Sequence, residues 1–193
     1  MSDSKSCRKS WVAQHIAELP RSGIRDFFEL VNTMDDVISL GIGEPDFATP
    51  WHIRDAAIYA LHSGYTCYTS NLGDLRLRKA ICAYAKENFG VSYRPEQECI
   101  VTVEINKDLD ILLRAVLNPG DEVLYHEPCY VSYAPTIRMT HAVPVPVRTE
   151  AKNDFVVDVA DLEAKVTPRT RVLLLNYPNK STRVRGVTLA SRS

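Results

Sequence analysis

The fold of this chain is decided near its last third, by the stretch Arg171-Val172-Leu173-Leu174-Leu175-Asn176-Tyr177-Pro178-Asn179. A short, continuous apolar run of this kind is typical of a strand that is covered on both faces of a parallel sheet. We therefore predict a strand over 171–175. The polar segment Asn176-Tyr177-Pro178-Asn179 follows this strand directly, and the sequence after it changes abruptly in composition.

Upstream of this strand, from residue 99 onward, the sequence alternates between strand and helix patterns. The predicted strands are Cys99–Val103, Glu122–Tyr125 and Ala142–Val147. The predicted helices are Lys107–Leu117 with Asn106 as its cap, Tyr130–Met139 despite Pro135, and a helix from the cap Asp158 to Lys165. Alternation of this kind predicts an α/β protein with a mainly parallel sheet.

The part before residue 99 is predicted to be mostly helical. Two longer helices are indicated, one capped by Thr49 with Pro50 at its first position and Gly64 at its end, and one over 74–88 that stops at Gly90. Shorter elements precede them: helices over Ser10–Glu18 and Arg25–Met34, and a strand over Val37–Leu40.

Composition excludes several classes of partner. The 193 residues are 45% hydrophobic, which is enough for a real core, and the net charge of −1 gives no attraction to nucleic acid or to a membrane surface. No apolar run approaches the roughly 20 residues of a membrane span, and the first residues lack the apolar stretch of a signal peptide. We therefore expect a cytoplasmic protein.

The cysteines and histidines give no sign of a metal site. The five cysteines are scattered without CxxC spacing, and the five histidines form no ligand cluster, so no metal-binding residue is predicted. We expect reduced and mostly buried thiols.

The turn Glu104-Ile105-Asn106, between a predicted strand and a predicted helix, is a candidate anion site. Backbone amides and the helix dipole favour phosphate at such a place. The turn has no glycine, however, and the carboxylates of Glu104 and Asp108 oppose an anion, while Lys107 offsets only part of that charge. Asp108 has a second explanation, because acids stabilise the first turn of a helix.

Two tyrosine groups have alternative explanations. Tyr130 and Tyr133 follow a predicted strand, where an aromatic face can stack on a planar ligand, but the same residues also suit a core or an interface. The group formed by Tyr65, Tyr68, Asn71 and Gly73 has the composition of a surface loop.

Five motifs occur in an order that resembles a known enzyme family. They are Ser39-Leu40-Gly41-Ile42-Gly43-Glu44-Pro45-Asp46-Phe47; Tyr65-Thr66-Cys67-Tyr68 with Gly73 and Leu77-Arg78; Asn118-Pro119-Gly120-Asp121-Glu122-Val123; Glu127-Pro128-Cys129-Tyr130; and Asn176-Tyr177-Pro178-Asn179. The chain resembles the N-terminal half of the pyridoxal-phosphate-dependent aminotransferases of class I/II, which have the aspartate-aminotransferase-like fold.

The resemblance implies a three-layer, mainly parallel sheet of the pyridoxal-phosphate-transferase type, truncated in this chain. It divides the chain into an N-terminal arm with the start of a small domain (1–48), a partial cofactor-binding large domain (49–179) and a divergent basic tail (180–193). Because the family continues beyond the run 171–175, we expect apolar surface of this strand to be exposed.

The resemblance also implies roles for particular residues. Tyr130 is expected to stack on the pyridine ring of pyridoxal 5'-phosphate, and Tyr68 to reach the cofactor phosphate of a neighbouring subunit in a homodimer. Backbone amides of Ile105 and Asn106 are expected at the phosphate, and the backbone of Gly43 beside the substrate carboxylate. The implied substrates are an amino acid and a 2-oxo acid, and the loop around Gly43 favours the aspartate or aromatic branch.

The chain departs from the family pattern at two places. The phosphate turn, approximately Gly-x-Ser/Gly-x-Ala in the family, has Glu104, Asn106 and Asp108 here, and the asparagine that contacts the pyridine hydroxyl is replaced by Lys180. The lysines compared with the family's Ser-x-x-Lys context do not lie in it; they are Lys79, Lys86, Lys107, Lys152, Lys165 and Lys180. No catalytic residue is therefore assigned. We expect an aminotransferase that is inactive alone, or else a non-catalytic truncated or frame-shifted remnant or pseudoenzyme.

Overall fold

The computed structural model describes residues 11–20, 45–179 and 182, which belong to two compact units. One unit consists of Met1–Ser22 and Ile105–Ser193, and the other of Gly23–Glu104. The predicted helix Arg25–Met34, the strand Val37–Leu40, Gly43 and all of the basic tail except Thr182 lie outside the described residues. The division at 48 and 179 stays a prediction.

Six α-helices and three strands are described. The helices are α1 Gln14–Ala17, α2 Trp51–His62, α3 Leu75–Phe89, α4 Ile105–Val116, α5 Tyr133–Met139 and α6 Val159–Glu163. The strands are β1 Glu122–Glu127, β2 Val143–Arg148 and β3 Thr170–Leu174, and a short 3-10 helix spans Ala151–Asn153.

The first unit is built on a parallel sheet in the order β2-β1-β3. In its register Leu124 lies opposite Val145 on β2 and Leu173 on β3. The pairing of β1 with β3 is irregular between Glu122 and Val123. A parallel sheet that alternates with helices confirms the predicted α/β class.

The central strand β1 separates two apolar clusters. On one face Val123 and Tyr125 pack with Leu113 of α4 and Ile137 of α5. On the other face Leu124 packs with buried valines of β2 and of the segment before α6, Val147 and Val157. Burying a side chain of this size stabilises a fold by about 1.5–3 kcal/mol, so these contacts hold β1 as the centre of the unit.

β3 is less well covered than its sequence predicts. The strand itself is confirmed, but Leu173 is 44% exposed and Leu175 beyond it is 41% exposed. Val172 and Leu174 pack on the cluster beneath α4 and α5. Burial on both faces is therefore wrong for β3 in the described part of the chain, and the expected exposure of apolar surface is confirmed.

The second unit contains α2 and α3. Asp74 caps α3 by accepting a hydrogen bond from the Arg76 amide at 2.7 Å. Gly90 ends the helix in the left-handed conformation, and this end agrees with the predicted stop. α2 begins after Pro50 instead, with no side-chain cap, so the predicted role of Thr49 is wrong. Pro50 occupies the capping position because its extended backbone, with ψ of 140°, precedes the first helical residue.

The predicted strand Cys99–Val103 does not form. The segment is irregular, and the Val101 backbone amide donates a hydrogen bond to the Leu72 carbonyl at 3.0 Å. Gly73 packs directly beneath this contact, with a φ of +92°. An apolar run becomes a strand only where a neighbouring strand is available, and the second unit offers none among its described residues.

Arg78 in α3 fixes the same region. Its buried guanidinium donates to the carbonyls of Gly73 at 3.2 Å and Pro95 at 2.5 Å. A buried cation must have its donors satisfied, and two loop carbonyls serve that purpose here. The arginine thus ties the loop before α3 to the loop after it.

The thiols are only partly as predicted. Of the four described cysteines, Cys82 is buried, Cys67 is exposed, and Cys99 and Cys129 are half-buried; all four are free. The prediction of mostly buried thiols is therefore wrong for this part of the chain. No helix within the described ranges is long and apolar enough to cross a membrane.

Candidate functional site

Four polar and aromatic side chains meet at the carboxyl ends of β1 and β3. The Asn106 amide lies 3.5 Å from the Tyr130 hydroxyl, the rings of Tyr130 and Tyr133 meet edge to face at 5.8 Å, and the Asn176 amide donates to the Tyr133 hydroxyl at 2.5 Å. We call these four residues the tyrosine cluster. Ligands of open parallel sheets bind at the carboxyl ends of the strands, which is where this cluster lies.

The two tyrosines of the cluster differ in exposure. Tyr133 is half-buried and packs against the core beneath α4 and α5, so the core explanation is correct for it. Tyr130 is 44% exposed. An exposed aromatic ring beside amide and hydroxyl groups can stack on a planar, hydrogen-bonding ligand, and among the cluster's members only Tyr130 offers such a ring.

Beneath the cluster, His126 and Tyr177 support the end of β3. Their rings stack at 5.1 Å, and the Asn176 backbone amide donates to His126 Nε2 at 3.4 Å. His126 is buried, and burial lowers the pKa of its imidazole below the ordinary value. A neutral imidazole can accept this bond, so His126 positions Asn176.

Asn179 joins the two loops that carry the cluster. Its side chain is buried, and its amide donates to the Pro128 carbonyl at 3.1 Å. Pro128 precedes Tyr130 by two residues in the loop after β1. The segment 176–179 therefore acts on the site by holding the Tyr130 loop against the end of β3.

The start of α4 differs from its prediction. The helix begins at Ile105, so Asn106 lies inside the first turn and is not the cap. The first amides of a helix lack intrahelical partners and carry partial positive charge, but Asp108 lies in this turn and Glu104 directly precedes it. The ammonium of Lys107 lies 3.8 Å from the Asp110 carboxylate, so its charge is shared with another acid.

The remaining predicted residues are not part of this cluster. Tyr68 belongs to the second unit and is fully exposed, and Gly43 lies outside the described residues. The guanidinium of Arg76, in the first turn of α3, lies 5.4 Å from the centre of the Tyr65 ring. The surface-loop interpretation of the group Tyr65, Tyr68, Asn71 and Gly73 is correct for the two tyrosines, which are exposed. Gly73 instead packs against Val101.

A cavity of about 540 Å³ lies beside the ends of β1 and β2. Its lining includes Cys129, Glu127 and Arg148. Burial, with a smaller contribution from the Glu127 charge, raises the pKa of the Cys129 thiol to about 11. The Cys129 thiol is therefore protonated at neutral pH, whereas the thiolate is the nucleophilic form of cysteine.

From the sequence alone, no structural role was assigned to His126, Asn179 or Glu122. Glu122 is buried at the start of β1, where it accepts hydrogen bonds from Thr167 at 2.5 Å and Arg169 at 2.6 Å. A charged or polar residue within an apolar strand is the signal that could have found Glu122 and His126, because such residues are buried only with partners.

Comparison with known proteins gives the family. The family model described as "Aminotransferase class I and II" matches residues 35–182. An aspartate aminotransferase of Pyrococcus horikoshii is 40% identical over 182 residues, which are 94% of this chain and 46% of that protein. An aromatic-amino-acid aminotransferase of Thermococcus litoralis is 42% identical over 161 residues, covering 83% of this chain and 41% of that protein.

Comparison with a solved structure gives the same family. The aspartate aminotransferase from Thermus thermophilus with maleate superposes with a TM-score of 0.82 at 35% identity, covering 89% of this chain and 46% of that one. This chain thus spans less than half the length of the relatives it matches. The match and the parallel sheet confirm the resemblance and the type of fold. The chain belongs to the class I and II aminotransferase family.

Proposed function

We propose that this chain supplies part of the site at which an aminotransferase moves an amino group from an amino acid to a 2-oxo acid. The observation that carries the proposal is the exposed ring of Tyr130 within hydrogen-bonding reach of Asn106 at the carboxyl end of the sheet. Members of the family depend on pyridoxal phosphate, a planar heteroaromatic molecule with a hydroxyl group and a phosphate.

The cluster suits the ring of this cofactor. Tyr130 would stack on the pyridine ring. The Asn106 amide lies 3.5 Å from the Tyr130 hydroxyl, so it would orient a polar substituent of the stacked pyridine. When bound, pyridoxal phosphate supplies the electron sink for amino transfer, and the protein's part is to hold and orient it. Asn176 and Asn179 would keep the stacking ring in place through Tyr133 and Pro128.

The start of α4 suits the phosphate less well. Ile105 and Asn106 would offer backbone amides, but the Asp108 carboxylate lies in the same turn. A charge near a helix end is worth about 0.3–1 kcal/mol, and here its sign opposes a phosphate dianion. We therefore propose that the ring, more than the phosphate, determines the affinity of this chain for the cofactor.

We further propose the aspartate or aromatic amino acids as donors and a homodimer as the working form. The relatives named for these donors support the first point. The complete exposure of Tyr68 supports the second, because a tyrosine that reaches into a neighbouring subunit must be free in its own. The role of Gly43 and the cytoplasmic location remain predictions.

A second candidate is that the chain is non-catalytic on its own. It is favoured by the acids at the α4 turn and by the position of Lys107, the lysine nearest to the cluster in sequence, whose ammonium faces Asp110. The Lys107 side chain is exposed, whereas a lysine that acts as a nucleophile is typically desolvated or lies beside another cation.

The test of ring binding uses the full chain and a matched pair of variants. Pyridoxal phosphate is titrated while protein fluorescence is followed, for the wild type, Tyr130→Ala and Tyr93→Ala. Tyr93 is an exposed tyrosine of the second unit. Loss of one aromatic contact is expected to weaken binding about 3- to 10-fold for Tyr130→Ala and not for the control.

Activity is measured on the same samples. Amino transfer from aspartate and from tyrosine to 2-oxoglutarate is followed by the keto acids formed. We expect no turnover by the chain alone. Turnover with borohydride-dependent labelling of one specific lysine would reject the non-catalytic candidate, and equal binding by Tyr130→Ala and Tyr93→Ala would reject the ring site.

A further inference from the structure

Two cysteines of the second unit lie against each other in the fold. Cys82 is buried in α3, and Cys99 is half-buried in the irregular segment that follows this helix. Their thiols are within hydrogen-bonding reach of each other. The other two described cysteines have different surroundings, because Cys67 is exposed and the Cys129 thiol, in the first unit, donates to the Tyr130 carbonyl at 3.4 Å.

Two hydrogen bonds hold the segment that contains Cys99 against the start of α3. Arg78, which is one turn before Cys82 on the same face of the helix, donates to the Pro95 carbonyl at 2.5 Å. On the other side of Cys99, the backbone amide two residues later donates to the Leu72 carbonyl at 3.0 Å. The contact between the two thiols lies between these bonds, so the fold itself brings the sulfur atoms together.

The two thiols differ in access to solvent and in acidity. Burial, and after it the interaction with Cys99, raises the pKa of the Cys82 thiol. The Glu96 charge also raises this pKa, whereas the Arg78 charge lowers it. Cys82 is therefore protonated at neutral pH, and the half-buried Cys99 is the thiol that a dissolved reagent reaches first.

We propose that Cys82 and Cys99 form a reversible disulfide when the chain meets a low-molecular-weight disulfide such as oxidised glutathione. The Cys99 thiolate attacks the reagent, which forms a mixed disulfide and releases one glutathione thiol. The Cys82 sulfur then loses its proton and attacks the Cys99 sulfur, which releases the second glutathione thiol. Two protein thiols are oxidised, one glutathione disulfide is reduced to two thiols, and the two cysteine protons end on those thiols.

The disulfide would tie α3 covalently to the segment that contains Cys99. A sulfur–sulfur bond requires a specific separation and orientation of the two cysteines. The segment pairs with no described strand, so its backbone is able to adjust to that geometry. Because a cross-link restricts the unfolded chain, the oxidised chain should resist urea better than the reduced chain.

The test exposes the reduced full chain to oxidised glutathione, blocks the remaining thiols with an alkylating reagent, and maps the linked tryptic peptides by mass spectrometry. Cys82 and Cys99 lie on separate peptides, 80–86 and 87–107. The link between Cys67 and Cys82 is the internal reference, because these two cysteines are separated by nearly the same length of chain. An unfolded chain should therefore form both links to a similar extent.

The variants are Cys82→Ser and Cys99→Ser, with Cys67→Ser and Cys129→Ser as matched controls. We expect the Cys82–Cys99 link to exceed the reference link by about tenfold or more in the folded wild type, and the two links to be similar in urea. We expect both controls to keep the Cys82–Cys99 link and dithiothreitol to remove it.

The urea midpoint gives a second measurement. Oxidation should raise it in the wild type and not in Cys99→Ser, which changes only a half-buried position and so serves even if Cys82→Ser disturbs the core. Similar amounts of the two links in the folded chain would overturn the inference. So would a Cys99 that stays bound to glutathione without a link to Cys82, or a midpoint that oxidation leaves unchanged.

Discussion

At the residue scale, two tyrosines of the sheet unit differ in how their hydroxyl groups are satisfied. The Tyr125 hydroxyl donates to Glu127 at 2.9 Å, whereas the Tyr177 hydroxyl is buried without a hydrogen-bond partner in the described part of the chain. Burial raises the pKa of both phenols, so each is a neutral group at ordinary pH. An unsatisfied buried hydroxyl opposes folding, and a satisfied one favours it.

Removing each hydroxyl should therefore have opposite effects. Tyr177→Phe is expected to leave the free energy of unfolding unchanged or to raise it by up to about 1 kcal/mol, because nothing is lost with the hydroxyl. Tyr125→Phe is expected to lower it by about 1 kcal/mol. Urea unfolding of the two variants measures both values, and a larger loss for Tyr177→Phe than for Tyr125→Phe would contradict the assignment.

His126 should make stability depend on pH. Burial lowers its pKa in the folded state below the ordinary 6.5, so the unfolded chain binds the proton first. Stability is then fully present above pH 6.5, falls as the pH drops through that value, and levels off below the folded pKa. Urea unfolding between pH 5 and 8 should show this slope in the wild type and a smaller slope in His126→Gln; equal slopes would refute the burial effect.

At the element scale, the sequence predicted those helix ends and strands that depend on interactions between residues close together in the chain. The Asp158 cap, the Gly90 stop and strands β1 to β3 follow from a few neighbouring residues, and all are present. The prediction of a strand over Cys99–Val103 was wrong because a strand needs a neighbouring strand, and the local sequence does not show whether one is present. The contacts of Asn179 and His126 were unpredictable for the same reason: they depend on how β1 and β3 are aligned.

Alanine variants of two glycines with similar backbone conformations distinguish the cost of backbone strain from the cost of a steric contact. Gly64 and Gly73 have φ of +78° and +92°, but a Cβ at Gly64 meets no atom within 4 Å, whereas one at Gly73 would lie 2.8 Å from Val101 Cβ. Gly64→Ala is expected to cost about 1–2 kcal/mol from backbone strain alone. Gly73→Ala should cost a further 1–3 kcal/mol or so, because Val101 must move.

Thermal and urea unfolding of both glycine variants measures this difference. The contact between Val101 and Gly73 holds the irregular segment before α4 in place, so we expect Gly73→Ala to be the less stable of the two. Equal stability of the variants would show that Val101 moves aside freely and does not fix the segment.

At the scale of the whole molecule, the chain has a parallel sheet of the family's type. The sheet unit contains the contact between Asn106 and Tyr130. It also contains the hydrogen bonds from Asn176 to Tyr133 and from Asn179 to Pro128. Asp108 occupies the turn that would meet the cofactor phosphate. The fold therefore follows the family, and we propose that Tyr130 stacks on the cofactor ring while the start of α4 binds its phosphate weakly.

The most direct measurement compares 4-deoxypyridoxine with and without its 5'-phosphate, because neither can react with a lysine. Both are titrated into the full chain and into Asp108→Ala, with protein fluorescence as the readout. We predict that the wild type binds the two with similar affinity, and that Asp108→Ala strengthens binding of the phosphorylated form alone by about 2- to 5-fold. Tenfold tighter binding of the phosphorylated form by the wild type would contradict the account.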